Sequence, residues 1–128
     1  MIVLDTSVLI DALAGPRRSS PALRRAIEGG ERIVLPSLVL YEWLRGPRRP
    51  AELEAQEALF PAAAAVPFGS VEAARAAQLY LAVPRPRGRE IDLAIAACAL
   101  ILGARLWTLN PRDFRDVLRL ELYPAMTA

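Results

Sequence analysis

The chain has 128 residues, with 16 basic side chains against 14 acidic ones and a formal net charge of +2. All the basic side chains are arginines, because the sequence contains neither lysine nor histidine, and Cys98 is its single cysteine. These absences exclude Ser–His and Cys–His nucleophile pairs, histidine-ligated zinc, Schiff-base lysines and P-loops. Any catalysis must therefore use carboxylates, hydroxyls, arginines and a bound ion.

The composition predicts one compact domain covering residues 1–128. Hydrophobic residues make up 54% of the chain, which is enough to build a buried core at this length. The apolar runs are broken by Pro, Glu or Arg well short of a membrane span, and no basic segment precedes the first of them as in a signal peptide. A single cysteine fits a reducing compartment. We therefore expect a soluble cytoplasmic protein that does not contact a membrane.

Short β-rich segments alternate with helical ones along the chain. Strands are predicted at 2–4, 33–35, 64–68, 106–109 and 120–123, the third at a sheet edge because it contains Pro. Helices are predicted at 7–14, 22–28, 37–45, 51–59, 70–82 and 90–102, several of them opened by Ser or Pro and closed by Gly. This alternation is typical of an α/β fold, in which helices cover both faces of a mostly parallel sheet.

The first predicted strand ends in a carboxylate. Asp5 follows the apolar residues 2–4 directly, and Thr6 and Ser7 behind it are suited to cap the next helix. Open α/β sheets bind their ligands at the carboxyl ends of strands, so Asp5 is a candidate for holding a metal ion or a phosphate. A turn or N-cap role for Asp5 is the alternative, and the local sequence does not distinguish the two.

Three further acids stand out from their surroundings. Glu42 lies in a helix that is apolar almost all round, so we expect it to be buried and to need a partner, either a metal ion or an arginine such as Arg45. Asp92 lies in the first turn of the most apolar helix, where the helix dipole favours an anion with or without a further role. Asp113 and Asn110 lie in the turn after the 106–109 strand, where backbone geometry alone often selects Asp and Asn.

A parallel sheet would bring these acids to one of its edges. Two like charges about 4 Å apart repel by about 4 kcal/mol at an effective dielectric near 20, so the cluster requires protons or a divalent cation. All-oxygen ligands favour Mg²⁺ or Mn²⁺, which can activate a water and stabilise the charge developing on a phosphodiester. We therefore predict that Asp5, Glu42 and Asp92 converge on one ion, with Asp113 contributing at longer range or through water.

Four segments of the chain together resemble the signature segments of PIN-domain ribonucleases, and most closely those of the VapC toxins of toxin–antitoxin pairs. They are residues 4–10, Glu42 in its apolar helix, residues 90–97 and residues 108–114, in the family's order and spanning essentially the whole chain. The resemblance implies a PIN-like α/β/α sandwich. It also implies a metal-dependent endoribonuclease that uses Mg²⁺ or Mn²⁺ and cleaves RNA.

The resemblance further implies which residues form the site. Asp5, Glu42 and Asp92 are the acidic core, and Thr6 and Ser7 support it. Many relatives carry Asp at the position of Asn110, so either Asn110 or Asp113 fills the fourth acidic position here. The departure at Asn110 keeps one alternative open, a PIN-like module that binds RNA or protein without cutting it.

The resemblance also implies an antitoxin partner and a homodimer. Tyr41 and Trp43 lie on a helix whose faces a monomer of this length need not bury, which favours an interface, although a core position is the alternative. Arg85, Arg87 and Arg89 precede Asp92 and are candidates for contacting RNA phosphates, with ordinary solvated surface as the alternative.

Two other α/β classes place an acid after the first strand. Receiver domains support their phosphorylated aspartate with lysine, which this chain lacks. Aspartyl phosphatases carry a second aspartate two residues after the first, where this chain has Ser7. Both classes therefore fit the sequence less well than a metal-dependent nuclease.

Overall fold

The computed structural model describes residues 1–124. Within them, three strands and six α-helices follow one another in the order β1 Ile2–Leu4, α1 Thr6–Leu13, α2 Ser20–Glu28, β2 Ile33–Val34, α3 Ser37–Leu44, α4 Pro50–Leu59, α5 Ser70–Ala82, α6 Glu90–Leu102 and β3 Arg105–Trp107. Two 3₁₀ helices, Ala62–Ala64 and Pro111–Phe114, lie in the connections. The positions of all six predicted helices are confirmed to within two residues at either end.

The three strands form one parallel sheet in the order β2-β1-β3, so the first strand of the chain is the central one. Ile2, Val3 and Leu4 are all fully buried. Because successive side chains of a strand point to opposite faces, both faces of β1 are covered. The layered α/β fold with a mostly parallel sheet is therefore confirmed.

Helix α6 forms one wall of the core against β1, β3 and α5. Its residues from Leu93 to Ala99 are all buried, as the apolar sequence of this helix predicts. Gly103 ends it with a left-handed φ of 63°, a conformation that glycine adopts without steric cost. Even so, no helix within residues 1–124 is long and apolar enough to cross a membrane.

Two predicted strands are wrong. In the predicted strand 64–68, a 3₁₀ helix occupies the start, and pairing is limited to one bridge between Val66 and Pro36. Pro67 lacks the N–H that would extend this ladder. The predicted strand 120–123 makes only one bridge, through Leu122 to Leu106, because β3 is three residues long and offers its outer edge at a single position.

Helix α3 is less buried than its apolar sequence predicts. It contacts α1 and α6, and Val39 and Trp43 are its buried residues, whereas Tyr41 is 54% exposed and Leu44 52% exposed. Trp43 is fully buried, so its assignment to an interface is wrong and the alternative core position is correct. Tyr41 is available at the surface as predicted. The side chain of Glu42 is 18% exposed, which places it at the border of the core rather than inside it.

Candidate metal-binding site

Asp5 lies at the carboxyl end of β1 and is only 4% exposed. Asp5 is the N-cap residue of α1, so the predicted capping by Thr6 or Ser7 is wrong. The backbone of Asp5 is extended, and its side chain makes no capping hydrogen bond. Instead, Asp5 Oδ2 accepts hydrogen bonds from Ser7 Oγ at 2.9 Å and Thr108 Oγ1 at 2.7 Å. Asp5 thus occupies the N-cap position of the alternative interpretation, while its carboxylate is held by two hydroxyls instead of capping the helix.

The two hydroxyls that contact Asp5 are themselves oriented by backbone groups after β3. Ser7 Oγ accepts the Leu109 N–H at 3.1 Å, and Thr108 Oγ1 accepts the Asn110 N–H at 3.0 Å. Each hydroxyl therefore points its own proton at the carboxylate. Because both protons go to Oδ2, Oδ1 remains available for another ligand within the described part of the chain.

Thr108 was not identified from the sequence, although a signal for it existed. In the observed register Leu4 pairs with Trp107, so the residues that follow, Asp5 and Thr108, leave adjacent strands side by side. A hydroxyl directly after a predicted strand that neighbours β1 could have been expected to contact Asp5. The pairing of these two strands is a tertiary fact, however, and the sequence did not supply it.

Glu42 has two partners, one on the side of Asp5, as the metal-ligand interpretation requires, and one arginine, as the ion-pair interpretation requires. Its Oε1 accepts a hydrogen bond from Thr6 Oγ1 at 2.5 Å, which holds Glu42 beside the residue that follows Asp5. Its Oε2 lies 3.3 Å from Arg45 Nη2. Arg45 is 53% exposed, and an exposed pair of this kind contributes little free energy, so it does not commit Glu42 to a purely structural role.

Asp92 is the acid of the site whose pKa is clearly raised. The pKa of its carboxyl is raised to about 6, and burial is the largest cause. Negative charges on other acids add to this rise in the pKa, in decreasing order Asp5, Asp113 and Glu42. Asp5, Asp113 and Glu42 are therefore close enough to Asp92 for their charges to act on its carboxyl.

The site is not a ready-made metal cage. Within residues 1–124, no group of three or more His, Cys, Asp or Glu side chains is placed so that it could hold a metal ion as it stands. The donor set nevertheless fits a hard divalent cation, since it consists of carboxylate oxygens and the charges of Asp5, Asp113 and Glu42 oppose the ionisation of Asp92, which Arg89 only partly offsets. Convergence of these acids on one ion stays a prediction.

The two candidates for the fourth acidic position lie after β3, Asp113 within the 3₁₀ helix Pro111–Phe114 and Asn110 directly before it. Asp113 and Asn110 are both exposed there, and Asp113 acts on Asp92 through its charge. Asn110 contributes its backbone N–H to Thr108. The negative charge in this segment that reaches Asp92 therefore comes from Asp113.

The three arginines predicted to contact RNA do not have the same surroundings. Arg85 and Arg87 are exposed, whereas the side chain of Arg89 is 20% exposed and contacts the protein. Arg89 makes a two-point ion pair with Asp116, with nitrogen–oxygen distances of 2.9 and 2.7 Å. The hydrogen bonds of this pair raise the pKa of Arg89 and lower that of Asp116.

The family model of the PIN domain matches residues 2–120. The chain belongs to the PIN-domain family. This PIN domain is 34% identical over 117 residues to ribonuclease VapC19 of Mycobacterium tuberculosis (strain CDC 1551 / Oshkosh), a match that covers 89% of this chain and 92% of that protein. Ribonuclease VapC19 of strain ATCC 25618 / H37Rv matches with the same identity and coverage.

Solved structures show the same fold at lower sequence identity. VapBC2 from Rickettsia felis, bound to a DNA fragment from its promoter, superposes with a TM-score of 0.74 at 20% identity, covering 96% of this chain and 98% of that one. A toxin–antitoxin complex from Klebsiella pneumoniae gives a TM-score of 0.72 at 22% identity and covers 92% and 93%. FitAcB from Neisseria gonorrhoeae gives a TM-score of 0.71 at 21% identity and covers 97% and 98%. At these identities the likeness shows the fold alone.

Proposed function

We propose that this PIN domain is a metal-dependent endoribonuclease and the toxin of a VapBC-type toxin–antitoxin pair. The observation that carries the proposal is the grouping of acids around Asp5 at the carboxyl end of β1. Thr6, the next residue, donates a hydrogen bond to Glu42, and the charges of Asp5, Asp113 and Glu42 add to the burial that raises the pKa of Asp92. Such a concentration of carboxylates at the carboxyl end of a central strand is costly for the fold and useful for binding a cation. The relationship to ribonuclease VapC19 supports the choice of RNA as substrate.

The residues that would hold the cation are Asp5, Glu42 and Asp92, with Asp113 at longer range or through water. When bound, Mg²⁺ or Mn²⁺ would lower the pKa of a water and stabilise the negative charge that develops on the phosphodiester. Asp5 is prepared for this role, because the hydroxyls of Ser7 and Thr108 fix its orientation before any ligand arrives. Such preorganisation avoids the cost of reorienting the carboxylate during the reaction.

Protons compete with the cation for this site. With a pKa of about 6, Asp92 is ionised in most molecules at neutral pH and protonated in most molecules below pH 6. A protonated carboxyl is a poor ligand for a hard cation, since metal binding requires the deprotonated oxygen. We therefore expect metal binding and RNA cleavage to weaken as the pH falls through 6.

Arg85 and Arg87 are proposed to bind the RNA backbone. Both are exposed in the connection that leads into α6, the helix that carries Asp92. Arginine recognises phosphate oxygens in a two-point geometry, and such contacts make binding salt-dependent without specifying a base sequence. Arg89 is not assigned to RNA, because its guanidinium is engaged with Asp116.

The proposed partners are an antitoxin and a second copy of this chain. Large apolar side chains remain at the surface of the described residues, among them Leu81 at 84%, Tyr41 at 54% and Leu44 at 52% exposure. An apolar groove with a volume of about 480 Å³ also lies between α3, α5 and α6. Exposed apolar surface of this kind marks protein interfaces. Among the solved structures of similar fold are a toxin–antitoxin complex from Klebsiella pneumoniae and VapBC2 from Rickettsia felis, which supports an antitoxin as the partner.

The proposal is tested by incubating the purified chain with labelled single-stranded RNA, once with Mn²⁺ and once with excess chelator. We expect internal cleavage with Mn²⁺ and none with chelator. Cleavage in chelator would remove the metal mechanism, and RNA that is bound but left intact with Mn²⁺ would favour the non-cleaving module. Light scattering of the same sample, followed by mixing with the product of the adjacent small gene, tests the homodimer and the antitoxin.

A further inference from the structure

We propose that Arg89 and Asp116 are positioning residues, whose ion pair fixes the segment that carries Asp113 against the start of α6, which carries Asp92. The pair would thereby set the separation of two acids assigned to the cation. This inference rests on the proposed metal site and adds to it a part that touches neither the ion nor the RNA.

The backbone of Arg89 is held in place by the start of α6. Arg89 is the N-cap residue of this helix, and its carbonyl accepts the Leu93 N–H at 2.9 Å. Its own N–H donates to the Pro86 carbonyl at 2.9 Å. Asp92 lies three residues further on in the same helical turn. The positions of Arg89 and Asp92 are therefore coupled through regular helix geometry.

The guanidinium of Arg89 reaches from α6 to the segment after β3. Its Nη1 and Nη2 contact the two carboxylate oxygens of Asp116 at 2.9 and 2.7 Å. Nη2 also donates to the backbone carbonyl of Asp113 at 2.7 Å. A rigid, planar guanidinium group thus contacts three oxygen atoms of two residues in this segment. Through the carbonyl contact, Arg89 directly fixes the position of the Asp113 backbone.

Other contacts anchor the same segment from the side of the core. Phe114 and Val117 are buried, at 3% and 4% exposure. Asp113 directly precedes Phe114 and is itself exposed. Apolar packing holds the segment to the protein but tolerates small shifts, whereas a two-point arginine–carboxylate pair fixes direction as well as distance. Arg89 therefore supplies the orientation that Phe114 and Val117 do not.

A lysine in place of Arg89 would keep the charge and lose this geometry. An ammonium group has no planar fork and cannot match both Asp116 oxygens and the Asp113 carbonyl in the same way. Partners outside the ligand shell of a metal site typically change its affinity or activity by about 10–100-fold when mutated. Arg89→Lys is therefore expected to weaken Mn²⁺ binding by about tenfold.

The chain offers a matched control for the loss of an ion pair. Arg105 pairs with Glu31 at 2.9 Å, and the two side chains are 35% and 33% exposed. Arg105 begins β3, whereas the acids lie beyond the other end of the sheet. Arg105→Lys makes the same substitution at this single-point pair without touching the segment of Asp113. It is expected to leave Mn²⁺ affinity unchanged.

The test is a double-mutant cycle on Mn²⁺ affinity, measured from the spectrum of free Mn²⁺ by electron paramagnetic resonance. The variants are Arg89→Lys, Asp113→Asn, their combination and Arg105→Lys, each with its thermal midpoint determined. If Arg89 acts through the position of Asp113, each single variant weakens Mn²⁺ binding, and Arg89→Lys adds nothing in the Asp113→Asn background. A merely structural role for Arg89 does not produce this dependence on the Asp113 carboxylate.

Additive losses in the cycle, or unchanged Mn²⁺ affinity in Arg89→Lys, would overturn the positioning role. If Arg89→Lys does not fold, Asp116→Asn replaces it in the same cycle, since it keeps the shape of the partner and removes its charge. A wild-type chain that binds Mn²⁺ with the expected coupling but cleaves no RNA would remove the proposed function and leave this inference standing. A wild-type chain that binds no Mn²⁺ would remove both.

Discussion

Two buried aspartates near the start of the chain, Asp5 and Asp11, look alike by every local measure. They are 4% and 9% exposed, and in each of them one carboxylate oxygen accepts two hydrogen bonds. Asp11 Oδ2 accepts the backbone N–H of Ser19 at 2.8 Å and its hydroxyl at 2.6 Å. Asp5 Oδ2 accepts the hydroxyls of Ser7 and Thr108. Burial and hydrogen bonding therefore do not separate a ligand from a structural acid.

The surroundings of the two carboxylates separate them. Both partners of Asp11 belong to one residue eight positions later, so this acid fixes the connection between α1 and α2. The partners of Asp5 come from α1 and from beyond β3, and its charge acts on Asp92. Asp11 serves to hold Ser19 in place, whereas Asp5, besides its two donors, repels the charge of Asp92, and a bound cation would relieve this repulsion. This contrast leads to four predictions.

The largest effect is expected for Asp5→Asn, which keeps the size of the side chain and removes its charge. RNA cleavage with Mn²⁺ should fall by at least about a thousandfold, because charge stabilisation by a held cation is worth several kcal/mol. The fold should persist, since an amide oxygen can still accept the two hydroxyls. Initial cleavage rates and circular dichroism of the same preparation check both statements. Wild-type rates in this variant would contradict the assignment of Asp5.

Asp11→Ala should lower the stability of the fold and leave RNA cleavage unchanged, the opposite of Asp5→Asn. It leaves the N–H and hydroxyl of Ser19, a residue only 5% exposed, without their acceptor. An unsatisfied buried donor costs about 1–3 kcal/mol, so the free energy of unfolding should fall by about that amount. Urea unfolding measures the loss, and RNA cleavage below the transition should stay near the wild-type rate. A stable Asp11→Ala protein without activity would erase the contrast with Asp5.

Thr108→Val tests whether orientation of Asp5 matters apart from its charge. The change keeps the shape of the side chain and removes the hydroxyl that donates to Asp5 at 2.7 Å. We expect Mn²⁺ affinity to fall by about tenfold, as for other groups that orient metal ligands. Ser20→Ala is the control, because its hydroxyl donates to a backbone carbonyl in α1, that of Ala12. Equal Mn²⁺ affinity in the two variants would show that Thr108 has no orienting role.

The smallest effect is expected for Asp92→Asn in the absence of metal, and it is a gain in stability. The pKa of Asp92 rises from 3.8 to about 6 on folding, so the folded state holds this proton more tightly than the unfolded chain does. Ionisation therefore destabilises the fold as the pH rises through this window, and the penalty is complete above pH 6. Removing it at neutral pH should add about 1 kcal/mol, a value reduced for partial exposure of the side chain.

The pH dependence provides the check on Asp92→Asn. Thermal unfolding with chelator should show the variant more stable than wild type near pH 7.5, with the difference falling to about a third of that gain near pH 4.5. With Mn²⁺ the order should reverse, because the wild type gains binding free energy that the variant lacks. A constant difference between these pH values would mean that the charge of Asp92 is not the cause.

The sequence predicted the parts of this molecule that depend on local chemistry. Helix periodicity and the Ser, Pro and Gly residues at the ends located all six helices, and Asp5 was recognised by its place after an apolar strand. The wrong strands at 64–68 and 120–123 fail for a non-local reason, since a strand exists only where a partner edge is free along its length. Whether such an edge exists is decided by tertiary packing.

The same limit applies to the site. Asp5, Glu42, Asp92 and Asp113 were chosen because acids in apolar or strand-end positions are unusual. Thr108 and Asp116 were not chosen, because a hydroxyl after a strand and an acid in a loop are common and only their partners give them meaning. Those partners lie far away in sequence. The separation is 103 residues for Thr108 and Asp5, and 27 for Asp116 and Arg89.

The strand order β2-β1-β3 has a consequence for how the chain folds. Strand β1 precedes both of its neighbours in the chain, and the second of them, β3, begins only at Arg105. Contacts between such distant residues are slow to form, because a long loop must close before they contribute any free energy. A nascent chain released before β3 can build helices but cannot place Thr108 against Asp5. Synthesis from the N-terminus therefore delays assembly of the acidic site until the residues after β3 have left the ribosome.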